Sequence, residues 1–199
     1  MTRTTPRTIW HRERTPKRTE VAPPTPESST LTPAQRSKYA LAVHESAHAI
    51  AATILGHEVT TVTLNDDTRS GSCAVVQRFG GPPSPEVAYA GPYAEQFFRH
   101  GGPPTGAAIR RALDGTDDFA AMTAAGDTRP AEIPRLIANC WASITYLANH
   151  LTINGAATQA DVNRALHLPA DDPDGRHHAL AEIRSGSAPG SFNVVAPLP

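Results

Sequence analysis

A chain of 199 residues, 39% hydrophobic and 19% charged, has room for one ordinary domain with tails, and its 19 Pro and 14 Gly predict that part of it is unstructured. Its 18 basic and 19 acidic side chains leave a net charge of -1, and two cysteines, Cys73 and Cys140, cannot build a disulfide framework or a Cys-rich zinc module, so a cytoplasmic location is expected. No run approaches the roughly 18 consecutive apolar residues of a membrane span, and no apolar segment follows the N-terminal charges as in a secretion signal.

In chain order, residues 1–32 come first. Arg3, Arg7, Arg12, Arg14, Lys17 and Arg18 stand there against Glu13 and Glu20, six minus two, or +4, in a Pro/Thr-rich setting without apolar periodicity. The composition predicts a disordered basic arm, with docking of a partner or of nucleic acid through phosphate contacts as its functional alternative. Order is expected over 33–168. Thr32 is a good N-cap, Pro33 suits the first helical position, and Gln35 completes a capping box. These predict a helix from Pro33 to about Leu55, stopped by Gly56 and buried, since alanines and aliphatics wrap much of its circumference.

The β-branched run Val59–Leu64 and the segment Cys73–Arg78 read as two strands joined by a polar turn over 65–71. A Gly-Gly-Pro-Pro linker at 80–83 precedes a helix over 85–99, and a second Gly-Gly-Pro-Pro follows at 101–104. Further helices are expected from about Thr116, over 130–151 and over 158–166. Residues 169–199 read mainly as a tail, with one helical turn at 177–183. The predicted class is α+β, predominantly α-helical, with a small sheet near the front.

His44-Glu45-Ser46-Ala47-His48 carries the chemistry, because it spells HExxH inside the first helix. With nine His and nine Glu in 199 residues, chance supplies only about 0.02 such matches. Residues four apart share one helix face, so both imidazoles can reach one metal ion, while Glu45 lies beside the ion as general base for a metal-activated water. A metzincin needs Gly and His where Ala51 and Ile54 stand, so the third ligand lies elsewhere. Glu86 and Glu95 are helical acids in the range a thermolysin-like enzyme would use. Asp117 and Asp118 fit better, in the first turn of a helix capped by Thr116, where the helix dipole favours a carboxylate.

His57, just past the helix stop, reads as loop surface, with a role at the metal site as the alternative. Cys73 and Cys140 read as small buried hydrophobes, and Trp141 and Tyr146 as core.

The order of features resembles the FtsH-type zinc metallopeptidases. Tyr39 to Ile50 followed by Val59 to Leu64 is similar to that family's HEAGHA segment and "VTI" strand. Tyr89-Ala90-Gly91-Pro92-Tyr93-Ala94-Glu95 is similar to its "GGRAAEE" helix, Gly115 to Phe119 to "ASNDL", and Asn154-Gly155 with Val162 and Leu166 to its closing "LDGEEV". The resemblance covers about residues 34–168. It implies a zincin-like domain holding one Zn2+ per chain through His44, His48 and Asp118, with Glu45 as catalytic base and peptides or proteins as substrates. On the residues themselves, Glu95 can hydrogen-bond a ligand histidine, with a structural salt bridge or helix cap as the alternative, and Asp117 is the alternate third ligand if the helix phase differs.

The chain departs from the family at Ser46 and Ala47, where Ala and Gly are usual, at Gly91-Pro92-Tyr93, and in a shorter segment before that helix. No GxxxxGK[ST] loop is present, and Lys17 and Lys38 are the only lysines. The expected activity is therefore ATP-independent hydrolysis of accessible or unfolded segments. The opposing expectation is a catalytically weak or inactive peptidase fold that serves binding or regulation through its basic arm.

Overall fold

A computed structural model of the chain describes residues 31–65, 70–76 and 84–192. The basic arm up to residue 30, the linker at 80–83, residues 77–78 of the expected second strand and the last seven residues lie outside the described residues. The chain divides into Met1–Leu31 and Thr32–Pro199; of the first only Leu31 is described, and everything below concerns the second.

Among the described residues the fold is mostly helical with one small antiparallel sheet. α1 (Pro33–Ile54) starts where its capping residues stand. The Thr32 hydroxyl accepts from the Gln35 amide at 3.2 Å, and the Thr32 amide donates to the Gln35 side chain at 2.9 Å. Gly56, at φ 89°, turns the chain out of the helix. Every residue from Glu45 to Ile54 is buried, which makes α1 the central helix. The alanine-rich sequence permits this because small side chains let neighbours approach on all sides.

α2 (Pro85–His100) and α6 (Trp141–Asn154) are its main helical partners, and β1 (Glu58–Asn65) and β2 (Ser70–Val76) pack against it as well. The strand order is β2-β1-β3, with β3 only Ala156–Ala157. Val62 faces Cys73 on one side and Ala157 on the other. The β1/β2 register shifts between Val59 and Thr61, an irregularity that inverts the alternation and turns Val59, Val62 and Leu64 all inward.

Four elements differ from expectation. β2 begins at Ser70, inside the stretch assigned to a polar turn. α3 (Gly106–Leu113) follows the second Gly-Gly-Pro-Pro, capped by Thr105, and buries Ala108, Ile109 and Leu113. The helix expected over 130–151 is two, α5 (Ile133–Asn139) and α6, broken at Cys140, where no Gly or Pro announces a break.

The fourth is the stretch read mainly as tail, which carries the 13-residue α8 (Pro173–Ser185). Asp172 caps it, accepting from the Gly175 amide at 2.8 Å, and Ala179, Leu180 and Ile183 are buried in the core. Arg184 donates to the Ile54 carbonyl at the end of α1, where a cation meets the negative end of the helix dipole. α4 (Asp117–Ala125) and α7 (Gln159–Ala165) lie where expected. Tyr146 is 50% exposed rather than core, while Trp141 is partly buried against Phe97, ring centroids 4.7 Å apart. Among the described residues, no helix is long and apolar enough to cross a membrane.

Candidate metal centre

His44 and His48, one helical turn apart on α1, point the same way, and their Nε2 atoms are 3.0 Å apart. Asp118 meets them from the first turn of α4, with Oδ2 3.3 Å from His44 Nε2 and Oδ1 3.5 Å from His48 Nε2. Local sequence places it there. Gly115, at φ 72°, reverses the chain after α3, and the Thr116 hydroxyl both donates to the Leu113 carbonyl at 2.8 Å and accepts from the Phe119 amide at 3.2 Å. That double link sets the phase of α4, so Asp118 turns toward the imidazoles. Asp117 is exposed at the edge of the same cleft.

The other ring nitrogens settle the tautomers. His48 Nδ1 donates to the Val87 carbonyl at 2.7 Å, and His44 Nδ1 donates to Glu95 Oε2 at 3.1 Å. Both partners are acceptors, so each neutral ring carries its proton on Nδ1 and turns a lone pair outward from Nε2. Two lone pairs and a carboxylate therefore converge on one point. With both rings neutral such an arrangement is repulsive, and it is relieved either by a proton on His44 Nε2 or by a metal ion; an N, N, O donor set with open space beside it is what a catalytic zinc site requires. Asp118, His44 and His48 form a group with ligand atoms all within 4.8 Å of one another.

The metal-free electrostatics carry the same signature. Burial works to lower the His44 pKa, but its hydrogen bonds to Asp118 and Glu95 and the charge of Glu45 outweigh that and push it up to about 9. Burial would raise Asp118, yet hydrogen bonds with both histidines hold it far below the usual carboxylate range. Glu95, desolvated by burial but paired with His44 and Arg99, is lowered as well. Arg99 grips its other oxygen through Nε at 2.9 Å and Nη2 at 2.7 Å, which keeps the carboxylate turned to His44.

Glu45 is 5% exposed, and its pKa is raised by burial against the opposing pull of His48 and His44. A carboxylate so placed has a weakened preference for the charged form and can hold a proton briefly.

Two glycines shape the site. At Gly91 on α2, a Cβ would lie 2.3 Å from His48 Nε2 and 2.8 Å from His44 Cδ2; at Gly71 on β2, a Cβ would lie 2.6 Å from Glu45 Oε1. Both positions let backbone approach where any side chain would displace the reacting groups. Their roles are not evident in the sequence reading, although the pair Gly91-Pro92 inside a helix is itself a signal, since a helix retains such residues only for a packing reason.

The cleft over these residues has a volume of about 620 Å³. α1 forms its floor, the inward residues of β2 one wall, and the starts of α2 and α4 the other. Cys73, half-buried against the core, also lines it, its thiol pushed up to about 12 by burial, whereas Cys140 is fully buried. His57, half-buried in the turn between α1 and β1, also lines the cleft. No protein-family model matches the chain, and no match was found among curated proteins.

Proposed function

We propose that this chain is a zinc metallopeptidase with a zincin-like fold, related to the FtsH-type peptidases but acting without a motor. One observation carries the reading: Nε2 of His44, Nε2 of His48 and the Asp118 carboxylate converge on one point in an open cleft, with the buried Glu45 lining the same cleft beside them. His44, His48 and Asp118 would hold the ion. Zinc bound there would supply Lewis acidity, polarising a peptide carbonyl and making water a nucleophile at neutral pH.

The chain's own groups divide the remaining work. Glu95, held by Arg99, and the Val87 carbonyl fix the two imidazoles so that no reorientation accompanies the reaction. Glu45 takes a proton from the attacking water and returns it to the departing amine, a role suited to a carboxylate whose pKa burial has raised. Among the described residues β2 ends the sheet, and its edge can receive an extended substrate through main-chain hydrogen bonds beside Gly71. An extended, unfolded segment is the substrate this wall accepts. Adding water to a peptide bond at this site needs no ATP, and the sequence itself contains no nucleotide-binding loop.

Zinc per chain and cleavage of an unfolded protein, measured for the wild-type chain and for Glu45→Gln, test the reading. The expected outcome is one zinc in both and a loss of turnover of about 10²–10⁴-fold in the variant. Zinc retained with equal rates in both would overturn it, and zinc retained with no cleavage in either would favour the binding-protein reading.

A further inference from the structure

Resting on the peptidase reading, we infer that His57 is a substrate-binding residue: its Nε2–H donates a hydrogen bond to a main-chain carbonyl of the substrate, about three to four residues from the scissile bond. The starting observation is an anomaly. His57 Nδ1 is shut off from solvent and has no hydrogen-bond partner. Buried polar atoms are rarely left so, and an orphaned N–H is rarer than an orphaned acceptor. A neutral ring therefore carries its hydrogen on Nε2. That atom makes no hydrogen bond among the described residues and is not sealed, while the residue lines the reaction cleft. The open edge of the ring thus presents a donor to whatever enters.

Two independent routes place this donor relative to the reacting groups. Along α1, Ala52 lies one turn beyond His48, and the His57 amide donates to the Ala52 carbonyl at 2.9 Å, so the His57 backbone sits about 10 Å farther along the helix axis than His48. Along β2, Gly71 lies against Glu45, and Val75 pairs with Val59, two residues past His57. Gly71 to Val75 spans about 13 Å at the rise of an extended strand. Both routes give the length of three to four extended substrate residues. Cys73 and Val75 line the wall between, with Ser72 and Ser84 on the same cleft, so a chain following β2 away from Glu45 passes Cys73 and Val75 and comes within reach of the His57 donor. A main-chain carbonyl is the acceptor every peptide brings to such a place, which suits an enzyme acting on unfolded segments of varied sequence.

The test uses the full chain loaded with zinc, in the Glu45→Gln background so that bound peptide survives. Fluorescein-labelled random-sequence peptide pools of about twelve and about two residues serve as probes, the first long enough to span the cleft and the second not. In fluorescence polarisation, His57→Phe is expected to weaken binding of the long pool about tenfold and leave the short pool unchanged. His57→Gln, which keeps an N–H donor, should restore part of the loss. In the Glu45 chain, His57→Phe should raise KM with little change in kcat.

Long-pool binding untouched by His57→Phe, equal losses for both pools, or loss of zinc from the His57 variants would overturn the inference. Cleavage by the wild-type chain with no effect of His57→Phe refutes this inference alone. Length-dependent, His57-dependent binding without cleavage refutes the peptidase reading alone, and a chain that neither cleaves nor binds refutes both.

Discussion

α1 is flanked by two surfaces of opposite character. Along α6 the contact is hydrocarbon: Ile144, Leu147, Ala148 and Leu151 are fully buried, and no ionisable group of α6 is buried with them. Along α2 and α4 the same helix meets Glu95 and Asp118, and presents His44, Glu45 and His48 to them. The first surface depends on volume, and neighbouring side chains can shift to refill a modest loss. The second depends on the positions of individual atoms, because two imidazoles and two carboxylates crowded together retain their relation only while each is held by its own partner. One helix thus separates stability from chemistry by face.

The sharpest way to break the comparison is Asp118→Ala. Zinc affinity should fall by more than the about 10–100-fold that accompanies loss of an outer hydrogen-bond partner, while Asp117→Ala leaves it unchanged; zinc titration against a chelating dye reads both. Unaltered affinity in Asp118→Ala would remove it as a ligand.

On the opposite face, Leu147→Ala should cost about 2–5 kcal/mol in urea unfolding, yet the variant should still bind one zinc per chain. Zinc loss in a folded Leu147→Ala chain would show that the two faces are not separable.

Gly91→Ala belongs to both ledgers. Its methyl would intrude on the two imidazoles, so about 1–3 kcal/mol of stability and a measurable part of the zinc affinity should go together. Stability lost with zinc affinity intact would mean that the rings move aside without consequence.

The smallest effect is one of pH. In the metal-free protein the pKa of His44 is raised from 6.5 to about 9, so its proton stabilises the fold fully below about pH 6.5, and that contribution is lost as pH rises through about 9. A metal must displace that proton, so zinc affinity should rise by about tenfold per pH unit between those limits. His44→Ala is no control here, since it removes a ligand. Glu95→Gln, which keeps an acceptor but removes the charge, should lower the upper limit of the window, and titration of zinc binding across pH reads the shift.

Legibility followed the range of the interactions. Thr32, Pro33 and Gln35 announce the start of α1 because capping is settled within four residues, and α4 declares itself in the same way through Thr116. HExxH is readable because a helix places i and i+4 together whatever surrounds it. The break at Cys140 has no local cause in Gly or Pro, and β3 is two alanines paired with Val62 and Thr63, almost a hundred residues away. α8 carries good local signals in Asp172 and Pro173, but an Asp-, Pro- and Gly-containing setting masks the buried Leu180 and Ile183. Its partners, the end of α1 and the pair Arg135 and Asn139, are distant in the chain.

By itself, then, the sequence determined the central helix, its two histidines on one face with a glutamate beside them, and a carboxylate-bearing helix start downstream, since each is a local consequence of backbone geometry and capping. Only the tertiary structure decided that Asp118 rather than Asp117 faces the imidazoles, that Gly91 and Gly71 are where backbone presses on the site, and that His57 opens into the cleft. Those outcomes depend on how α2, α4 and β2 are docked on α1, and docking is set by the packing of the whole core.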